Sequence, residues 1–555
     1  MSHGRVPSQN TGITHPDSEN SCHTARQEGI QVRFRVMVVL LSVIVTLFLI
    51  SVNASAAVGK QKEPVVPRVE GERSTVRVGE RKPYYVLIEF DVVPEEQVSD
   101  SARPPINLGL VLDRSGSMRG QGKMGYLKKA ARAVVDRLTA NDRITIVEYD
   151  DRVTLLWPSS PVEAKSLIKR RIDSLQPRGS TNLHGGLMQG IREVSSHYDM
   201  EAVNRVLLLS DGLANKGVTQ PHHIYRDVHD TSKGKVSVTA LGLGLDYNED
   251  LMQGIAENGR GNYYFVESPT QVARIFREEL SALSQTVAKD VKGIFQTSDA
   301  VTGVHVYGYR ASTDGTRTEI PLEDFYAGEN RSLLLKLEID PRSAGRKKLG
   351  SFTLLFQDAR NEGAPVTVRQ DLWVTASASA QEVEESVKNT VLADALTIDA
   401  DERHEKYVRQ FEKGEREAAK ANIRKLNQEL AVQNTRLKSV KLGKKLEALS
   451  MEDDEMDRVS SAPASEMKSY LKAQKQRLYQ AKKGKRSLSM MQQGSKGYQV
   501  ENLQKALKGA GLYNGPVNGV YSPEVGQAVE AFQQQKQLGA DGIAGPKTLK
   551  ELGLY

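Results

Sequence analysis

The segment Asp113-Arg114-Ser115-Gly116-Ser117 carries oxygen-bearing side chains at a spacing that could bind a metal ion. Positions 113, 115 and 117 alternate, so one carboxylate and two hydroxyls can turn toward one point, and Gly116 allows the loop to tighten. Such an all-oxygen site of low negative charge suits a hard divalent cation. Mg²⁺ is therefore the expected ion, with Mn²⁺ or Ca²⁺ as the alternatives.

This segment follows an apolar run in a region where strand-like and helix-like patterns alternate. The strand-like pieces are 106–112, 143–149, 153–157, 205–209, 236–243 and 263–266, and helical spacing occurs over 124–138, 162–175, 183–198, 222–232 and 270–283. The alternation predicts a doubly wound, mostly parallel sheet with helices on both faces. Ligands of such sheets bind beyond the carboxyl ends of the strands, which is where segment 113–117 lies.

Two more polar segments fall at the same edge of the predicted sheet. Thr181 lies in Gly179-Ser180-Thr181-Asn182 just before a helix, and Asp211 follows the apolar strand that should lie beside the first. Each of these residues alone could instead cap a helix, because Ser, Thr, Asp and Asn are favoured at helix N-termini. Capping explains each residue singly but does not explain their convergence, so we favour metal binding.

With these three segments in this order, residues 104–285 resemble the von Willebrand factor A domain with its metal-ion-dependent adhesion site. The resemblance implies that Ser115, Ser117 and Thr181 are hydroxyl ligands, and that Asp113 and Asp211 coordinate directly or through water. It also implies a protein partner. An ion held by several neutral ligands keeps much of its positive charge and can accept an Asp or Glu carboxylate from outside.

The segments around this domain predict an antiparallel β-sandwich and a helical region. Residues 64–103 and 286–378 show strand-like patterns without helix patterns, so we expect one sandwich with the α/β domain inserted into it. Residues 380–450 should form a helical hairpin or short bundle that acts as a spacer. We interpret residues 451–493 as a charged linker, and adhesion of its basic half to anionic wall polymer or lipid head groups is the alternative.

Residues 494–555 contain a short internal repeat. The segment 518–525 recurs loosely at 541–548, and each copy has a polar turn, a proline at a helix start and an apolar helix. With Leu503-Gln504 and Phe532-Gln533, this pattern resembles the peptidoglycan-binding domain of many wall-active proteins, which implies a small all-α fold and peptidoglycan as a partner. Tyr513 and Tyr521 are candidates for stacking on sugar or peptide, and core packing is the alternative for both.

An apolar run at residues 36–52 follows three arginines and is interpreted as an export signal. It leads into Ala54-Ser55-Ala56, the small-x-small pattern that precedes signal-peptidase cleavage, so residues 1–56 would be removed. The alternative is an uncleaved membrane anchor, because the run nearly spans a hydrocarbon core. In either case the rest of the chain should face outward, in the periplasm or cell wall, or attached to the inner membrane.

Composition and the lack of catalytic motifs favour a binding protein over an enzyme. The net charge of +7 over 555 residues is too mild to indicate a nucleic-acid partner. Cys22 is the only cysteine and lies before the export signal, so the exported part can hold no cysteine nucleophile or thiolate metal site. The chain has no nucleophile elbow or phosphate-binding loop, and His404-Glu405 lacks the second histidine of a zinc protease.

We therefore expect an exported, non-catalytic cell-envelope protein that binds a partner protein through its metal site and attaches to peptidoglycan. The domain order resembles bacterial proteins related to calcium-activated chloride channel regulators. However, the chain beyond residue 57 has no further apolar run long enough to span a membrane, so we do not expect channel activity. The alternative function is that of a peptidoglycan hydrolase or protease whose active site carries no recognised motif.

Overall fold

The computed structural model describes most of the chain beyond the predicted export signal. The described ranges are 63–93, 103–267, 272–329, 331–483, 491, 493, 498–544 and 546–554. The chain divides into a unit Met1–Glu63 and a unit Pro64–Tyr555, and the elements below belong to the second unit. The apolar run at 36–52 and the cleavage pattern at 54–56 lie outside the described residues.

The strands of the described residues come in two groups separated by sequence. In chain order they are β1 Val65–Gly71, β2 Thr75–Arg77, β3 Lys82–Val92, β4 Ile106–Asp113, β5 Arg143–Tyr149, β6 Val153–Pro161, β7 Val203–Ser210, β8 Ser237–Leu243, β9 Arg260–Val266, β10 Thr286–Thr297, β11 Val301–Val306, β12 Ser312–Asp314, β13 Arg317–Pro321, β14 Phe325–Tyr326, β15 Arg331–Ile339, β16 Gly345–Asp358 and β17 Ala364–Ser377.

The helices fall between the strands β4–β10 and after β17. In chain order they are α1 Lys123–Arg137, α2 Lys165–Asp173, α3 Leu183–Ser196, α4 Pro221–Ser232, α5 Glu249–Asn258, α6 Val272–Ser284, α7 Ala380–Glu385, α8 Asn389–Glu412, α9 Arg416–Leu437, α10 Val440–Ser460, α11 Ala464–Lys482, α12 Tyr498–Gly509, α13 Pro523–Gln535 and α14 Pro546–Glu551. Within the described ranges, each helix is too short or too polar to cross a membrane.

Strands β4 to β9 form the sheet of an α/β domain, in the order β6-β5-β4-β7-β8-β9. All neighbours are parallel except β5 and β6. Helices α1, α2 and α6 cover one face through residues such as Leu127, Ile168 and Phe276, and α3, α4 and α5 cover the other. The predicted doubly wound sheet is confirmed. Helix α5 was not predicted from the sequence, because it is short and contains Gly254.

The remaining strands form two sheets that pack face to face. One sheet has the order β1-β3-β15-β11, and the other has the order β12-β13-β10-β16-β17-β2, with β14 beside β10. Their inner faces share one core, in which the Phe90 and Phe325 rings lie 4.9 Å apart. The predicted sandwich, with the α/β domain inserted between β3 and β10, is therefore present. One pair, β2 with β17, is parallel.

The charged segment at 451–493 is not a linker where the structure describes it, so that prediction is wrong there. Helices α10 and α11 run through it, and Met456, Val459 and Leu478 join the core of the helical bundle. These apolar residues stand at helical spacing among the charges, which supports a buried stripe along each helix. Some charges of these runs are exposed, and others, such as Glu452, Lys472 and Lys475, are buried with partners.

Helix α11 also packs on the α/β domain. The Gln476 side-chain oxygen accepts a hydrogen bond from the backbone N–H of Phe265 at 3.0 Å, and Lys472 donates to the carbonyl of Tyr247 at 2.9 Å. Tyr479 is buried edge-on against Tyr263, with ring centroids 5.9 Å apart. Since Phe265 and Tyr263 belong to β9, α11 covers the outer strand of the α/β sheet.

Helices α12 to α14 form a small domain with its own core, drawn from residues 491–554. In the first repeat, the Gln504 side-chain oxygen accepts from both backbone N–H groups of the Asn518-Gly519 turn, at 3.0 and 2.9 Å. Gln533 does the same at the Asp541-Gly542 turn, at 3.1 and 3.0 Å. In each copy of the repeat, therefore, one buried glutamine side chain stabilises one turn by hydrogen bonds to its backbone.

Candidate metal centre

Two of the predicted segments meet at the carboxyl ends of β4 and β7. Strand β4 is buried along its whole length and pairs in parallel with β7, with Leu112 opposite Leu209. Asp113 therefore ends β4 beside the end of β7, and Asp211 follows β7 directly. Strand β4 lies between β5 and β7, so the strand order runs in opposite directions on its two sides. Doubly wound sheets bind ligands at such a switch point.

The predicted hydroxyl and carboxylate oxygens are brought together at this edge. Ser115 Oγ lies 3.0 Å from Ser117 Oγ, and Ser117 Oγ donates a hydrogen bond to Asp211 Oδ1 at 2.6 Å. The segment that carries Thr181 reaches the same place. A Cβ atom placed on Gly212, next to Asp211, would lie 3.3 Å from Ser117 Oγ and 3.6 Å from Thr181 Oγ1. The structure thus brings all three segments to one place.

Asp113 is fully buried, and protein hydrogen bonds hold both of its carboxylate oxygens. Oδ1 accepts from the backbone N–H of Ser115 at 2.8 Å, and Oδ2 accepts from Ser210 Oγ at 2.8 Å. Burial raises the pKa of Asp113 to about 6, against the lowering effect of the bond from Ser115, and the charge of Asp211 adds to the rise. Two buried carboxylates at one site favour a cation between them.

The loop that carries Thr181 is fixed by backbone contacts with the first segment. The Gly116 N–H donates to the carbonyl of Gly179 at 3.0 Å, and the Thr181 N–H donates to the side-chain oxygen of Asn215 at 2.8 Å. Asn182 caps α3 by accepting from the N–H of Gly185 at 3.1 Å. Capping therefore falls to Asn182, and the Thr181 hydroxyl remains available at the site.

The structure adds two cations that the sequence analysis did not place at this site. Lys123 Nζ donates to Asp211 Oδ2 at 2.7 Å, and both side chains are buried. Arg114, between Asp113 and Ser115 in the first segment, pairs with Asp150 at 2.8 Å and Glu148 at 3.3 Å. No local pattern indicates either contact, because each partner lies on a different strand end, well separated along the chain.

The donor atoms suit a small divalent ion. Octahedral Mg²⁺ with oxygen ligands near 2.1 Å has neighbouring ligands about 2.9 Å apart, and the separations Ser115–Ser117 and Ser117–Asp211 bracket this value. Across the described ranges, no group of three or more His, Cys, Asp or Glu side chains is placed to hold a metal. Three hydroxyls with two carboxylates are therefore the donor set to consider, and it favours a hard cation.

The rim of the site is open to solvent. Ser117 is exposed, while Asp113, Ser115, Thr181 and Asp211 are buried beneath it. Leu213 stands two residues after Asp211 with 55% of its surface exposed.

The two tyrosines proposed for peptidoglycan binding lie in the core of the closing domain. Tyr513 and Tyr521 retain 4% and 1% of their surface, and each hydroxyl donates to a backbone carbonyl, that of Pro516 at 3.0 Å and that of Gly542 at 2.8 Å. Neither ring offers a face to a sugar. This corrects the stacking prediction, and core packing, the alternative, describes both residues.

Two parts of the chain match models of known protein families. A family model of the von Willebrand factor type A domain matches residues 107–278, and a model of the putative peptidoglycan binding domain matches residues 496–552. A solved structure, the von Willebrand factor type A protein from Catenulispora acidiphila, covers 77% of this chain and 99% of its own, with a TM-score of 0.55 and 16% identity. That likeness concerns the fold alone.

Two bacterial relatives match over the central part of the chain. The uncharacterized protein YfbK of Escherichia coli is 30% identical over 271 residues, which cover 47% of each chain. The uncharacterized protein sll0103 of Synechocystis is 28% identical over 271 residues, 46% of this chain and 62% of its own. The match thus spans about half to three-fifths of these relatives. On these matches and the fold, the chain contains a von Willebrand factor type A domain and a C-terminal domain of the putative peptidoglycan-binding family.

Proposed function

We propose that this chain is an exported cell-envelope adhesion or scaffold protein that holds a partner protein through a divalent ion and attaches to peptidoglycan. The observation that carries the proposal is the convergence of three loops on one oxygen-rich point at the open edge of the sheet. Domains of the von Willebrand type typically bind a divalent metal and mediate contacts between proteins. The closing domain suggests a location in the cell envelope.

Each residue would have a defined part in capturing the partner. The ion would be held by the hydroxyls of Ser115, Ser117 and Thr181. The carboxylates of Asp211 and Asp113, which hydrogen-bond to Ser117 and Ser115, would balance the charge of the ion. When bound, the ion would supply a Lewis-acidic position for an Asp or Glu carboxylate of the partner. Exposed Leu213 would add an apolar contact next to that carboxylate.

The metal site is tested by titrating the full chain with Mn²⁺ and with Mg²⁺ in a calorimeter. The double variant Ser117→Ala, Thr181→Ala should bind Mn²⁺ about tenfold more weakly or worse, because two of three hydroxyl ligands are gone. Ser196→Ala, an exposed serine at the other end of α3, is the matched control and should leave the affinity unchanged. Equal affinities in all three proteins would refute the proposed site.

The wall attachment and the competing hydrolase function are tested together. Purified chain is incubated with peptidoglycan sacculi and centrifuged, and the soluble fraction is analysed for released fragments. We expect the chain to sediment intact with the sacculi and a variant without residues 494–555 to stay in solution. Fragments that accumulate with time would instead favour a hydrolase, and equal sedimentation of both proteins would contradict attachment through the closing domain.

A further inference from the structure

Lys123 is an ammonium group built into the candidate metal centre. Its Nζ donates to Asp211 Oδ2 at 2.7 Å, with 8% of the lysine side chain and none of the aspartate side chain exposed. The other oxygen of the same carboxylate, Oδ1, accepts from Ser117 Oγ at 2.6 Å. Asp211 therefore lies between a fixed cation on one side and the metal-binding hydroxyls on the other.

The position of this lysine in its helix is unfavourable without its partner. Lys123 is the first residue of α1, and the positive end of the helix dipole lies at that end. A Cβ atom on Gly244, just after β8, would lie in ordinary van der Waals contact with Nζ, at 3.8 Å. An ammonium enclosed at a helix N-terminus needs a carboxylate to balance it, and Asp211 supplies that charge.

The charge balance of the centre depends on this one residue. Asp113 and Asp211 carry two negative charges, and Lys123 reduces their sum to −1. The other cations nearby are already balanced, because Arg114 and Arg178 pair with Glu148 and Asp150. A divalent ion would thus bring the centre to +1 with Lys123 and to zero without it.

We propose that Lys123 is an internal counter-cation that weakens divalent-ion binding and leaves the loaded site with a net positive charge for the partner's carboxylate. This inference rests on the proposed metal-dependent function. It assigns Lys123 a positioning and charge-setting part, since the ammonium acts through Asp211. The ammonium of Lys123 repels the divalent ion, and the loaded site, with its net positive charge, attracts an anion more strongly than a neutral site would.

The test is a Mn²⁺ titration of the full chain and of three variants. Lys123→Met keeps the length of the side chain and removes the charge, and it should bind Mn²⁺ about tenfold more tightly or better. Lys123→Arg keeps the charge and should stay near the affinity of the unaltered chain. Lys129→Met removes a charge from an exposed position of the same helix, and its affinity should change by less than about twofold.

A second measurement uses acetate as the carboxylate probe. Acetate labelled with ¹³C is added to the Mn²⁺-loaded proteins, and its coordination is followed by electron–nuclear double resonance. Lys123→Met should bind acetate several-fold more weakly than the unaltered chain, because its loaded site has no net charge. Thermal unfolding adds a check on folding: without Mn²⁺ the variant should melt at a lower temperature, and Mn²⁺ should stabilise it by more than it stabilises the unaltered chain.

The outcomes separate this inference from the proposed function. If the unaltered chain binds Mn²⁺ and Lys123→Met binds it equally or more weakly, the inference is refuted and the metal site stands. If only Lys123→Met binds Mn²⁺, the lysine blocks the site: it opposes the ion as proposed, but the positively charged loaded site and metal-dependent function in the natural chain are both refuted. If neither protein binds Mn²⁺, both proposals fail.

Discussion

At the residue scale, Arg114 holds the first polar segment of the candidate metal centre in place. Its guanidinium is almost fully buried and pairs with Glu148 and Asp150 on the end of β5. Its backbone N–H donates to the carbonyl of Tyr149 at 2.9 Å, and its own carbonyl accepts from the N–H of Arg178 at 2.8 Å. Arg114 therefore ties the first polar segment to β5 and to the loop that carries Thr181.

Replacing Arg114 by Met should destabilise the α/β domain. The change leaves two buried carboxylates with less compensating charge, which typically costs about 3 kcal/mol. Urea unfolding followed by circular dichroism measures the loss. Arg152→Met is the control, because this arginine is 79% exposed and should cost less than about 0.5 kcal/mol. Equal stability of the two variants would show that the Arg114 pairs contribute nothing.

At the element scale, the helical bundle buries a polar network between α8, α10 and α11. Lys445 donates to Asp401 at 2.7 Å and lies 3.3 Å from His404 Nδ1. His404 Nε2 faces Glu452 Oε1 at 3.7 Å, and the Tyr470 hydroxyl and the Gln474 amide donate to the same glutamate. Burial lowers the pKa of His404, and the charge of Lys445 lowers it further, in opposition to Glu452.

The bundle should therefore lose stability as the pH falls below the pKa of an ordinary histidine. In the unfolded chain His404 takes up a proton near pH 6.5, and in the folded chain it stays neutral to lower pH, so acid favours unfolding. The loss should approach about 1.4 kcal/mol per pH unit below pH 6.5. Thermal unfolding at pH 7.5 and pH 5.5 measures it.

His404→Gln is the matched variant for this prediction. It keeps a polar side chain and removes the titrating group, so its stability should change less between the two pH values than that of the unaltered chain. Acidic groups such as Glu452, whose pKa is lowered despite its burial, lose their contribution only at lower pH. An identical pH dependence in the two proteins would contradict the assignment to His404.

At the scale of the whole molecule, α11 joins the three parts that precede the closing domain. It meets the α/β domain at Phe265, the helical bundle through Lys475 with Glu412 at 2.6 Å, and the sandwich through Lys483 with Glu323 just beyond its last turn. These contacts link the α/β domain, which carries the candidate metal centre, to the bundle and the sandwich.

Removing the aromatic anchor of α11 should loosen this assembly. Tyr479 retains 1% of its surface, and its hydroxyl accepts from Lys483 at 2.8 Å. Tyr479→Ala should lower the free energy of unfolding by about 3 kcal/mol or more and speed amide hydrogen exchange in β9. Val432→Ala, at a residue 71% exposed, is the control. Unchanged exchange in β9 would show that α11 does not stabilise that strand.

The sequence by itself determined the elements and the donor atoms of the candidate centre. Alternation of apolar runs is a local property, so it predicted the strands of the α/β domain and its helices except α5. The rule that ligands bind at the carboxyl ends of parallel strands then placed Asp113, Thr181 and Asp211 at one edge. The repeat of 518–525 at 541–548 was likewise visible in the sequence, because the turn residues and the proline that starts the following helix recur in both copies.

Only the tertiary structure decided which side chains meet across the chain. Lys123 and Asp211 stand on elements 88 residues apart, and no spacing in the sequence connects them. The charges of 451–493 predicted a solvated linker, whereas packing gives charges of α10 and α11 partners within the bundle and on the α/β domain. Tyr513 and Tyr521 were ambiguous for the same reason. Burial and charge pairing depend on which distant residues the fold places beside a side chain. A local sequence pattern does not contain that information.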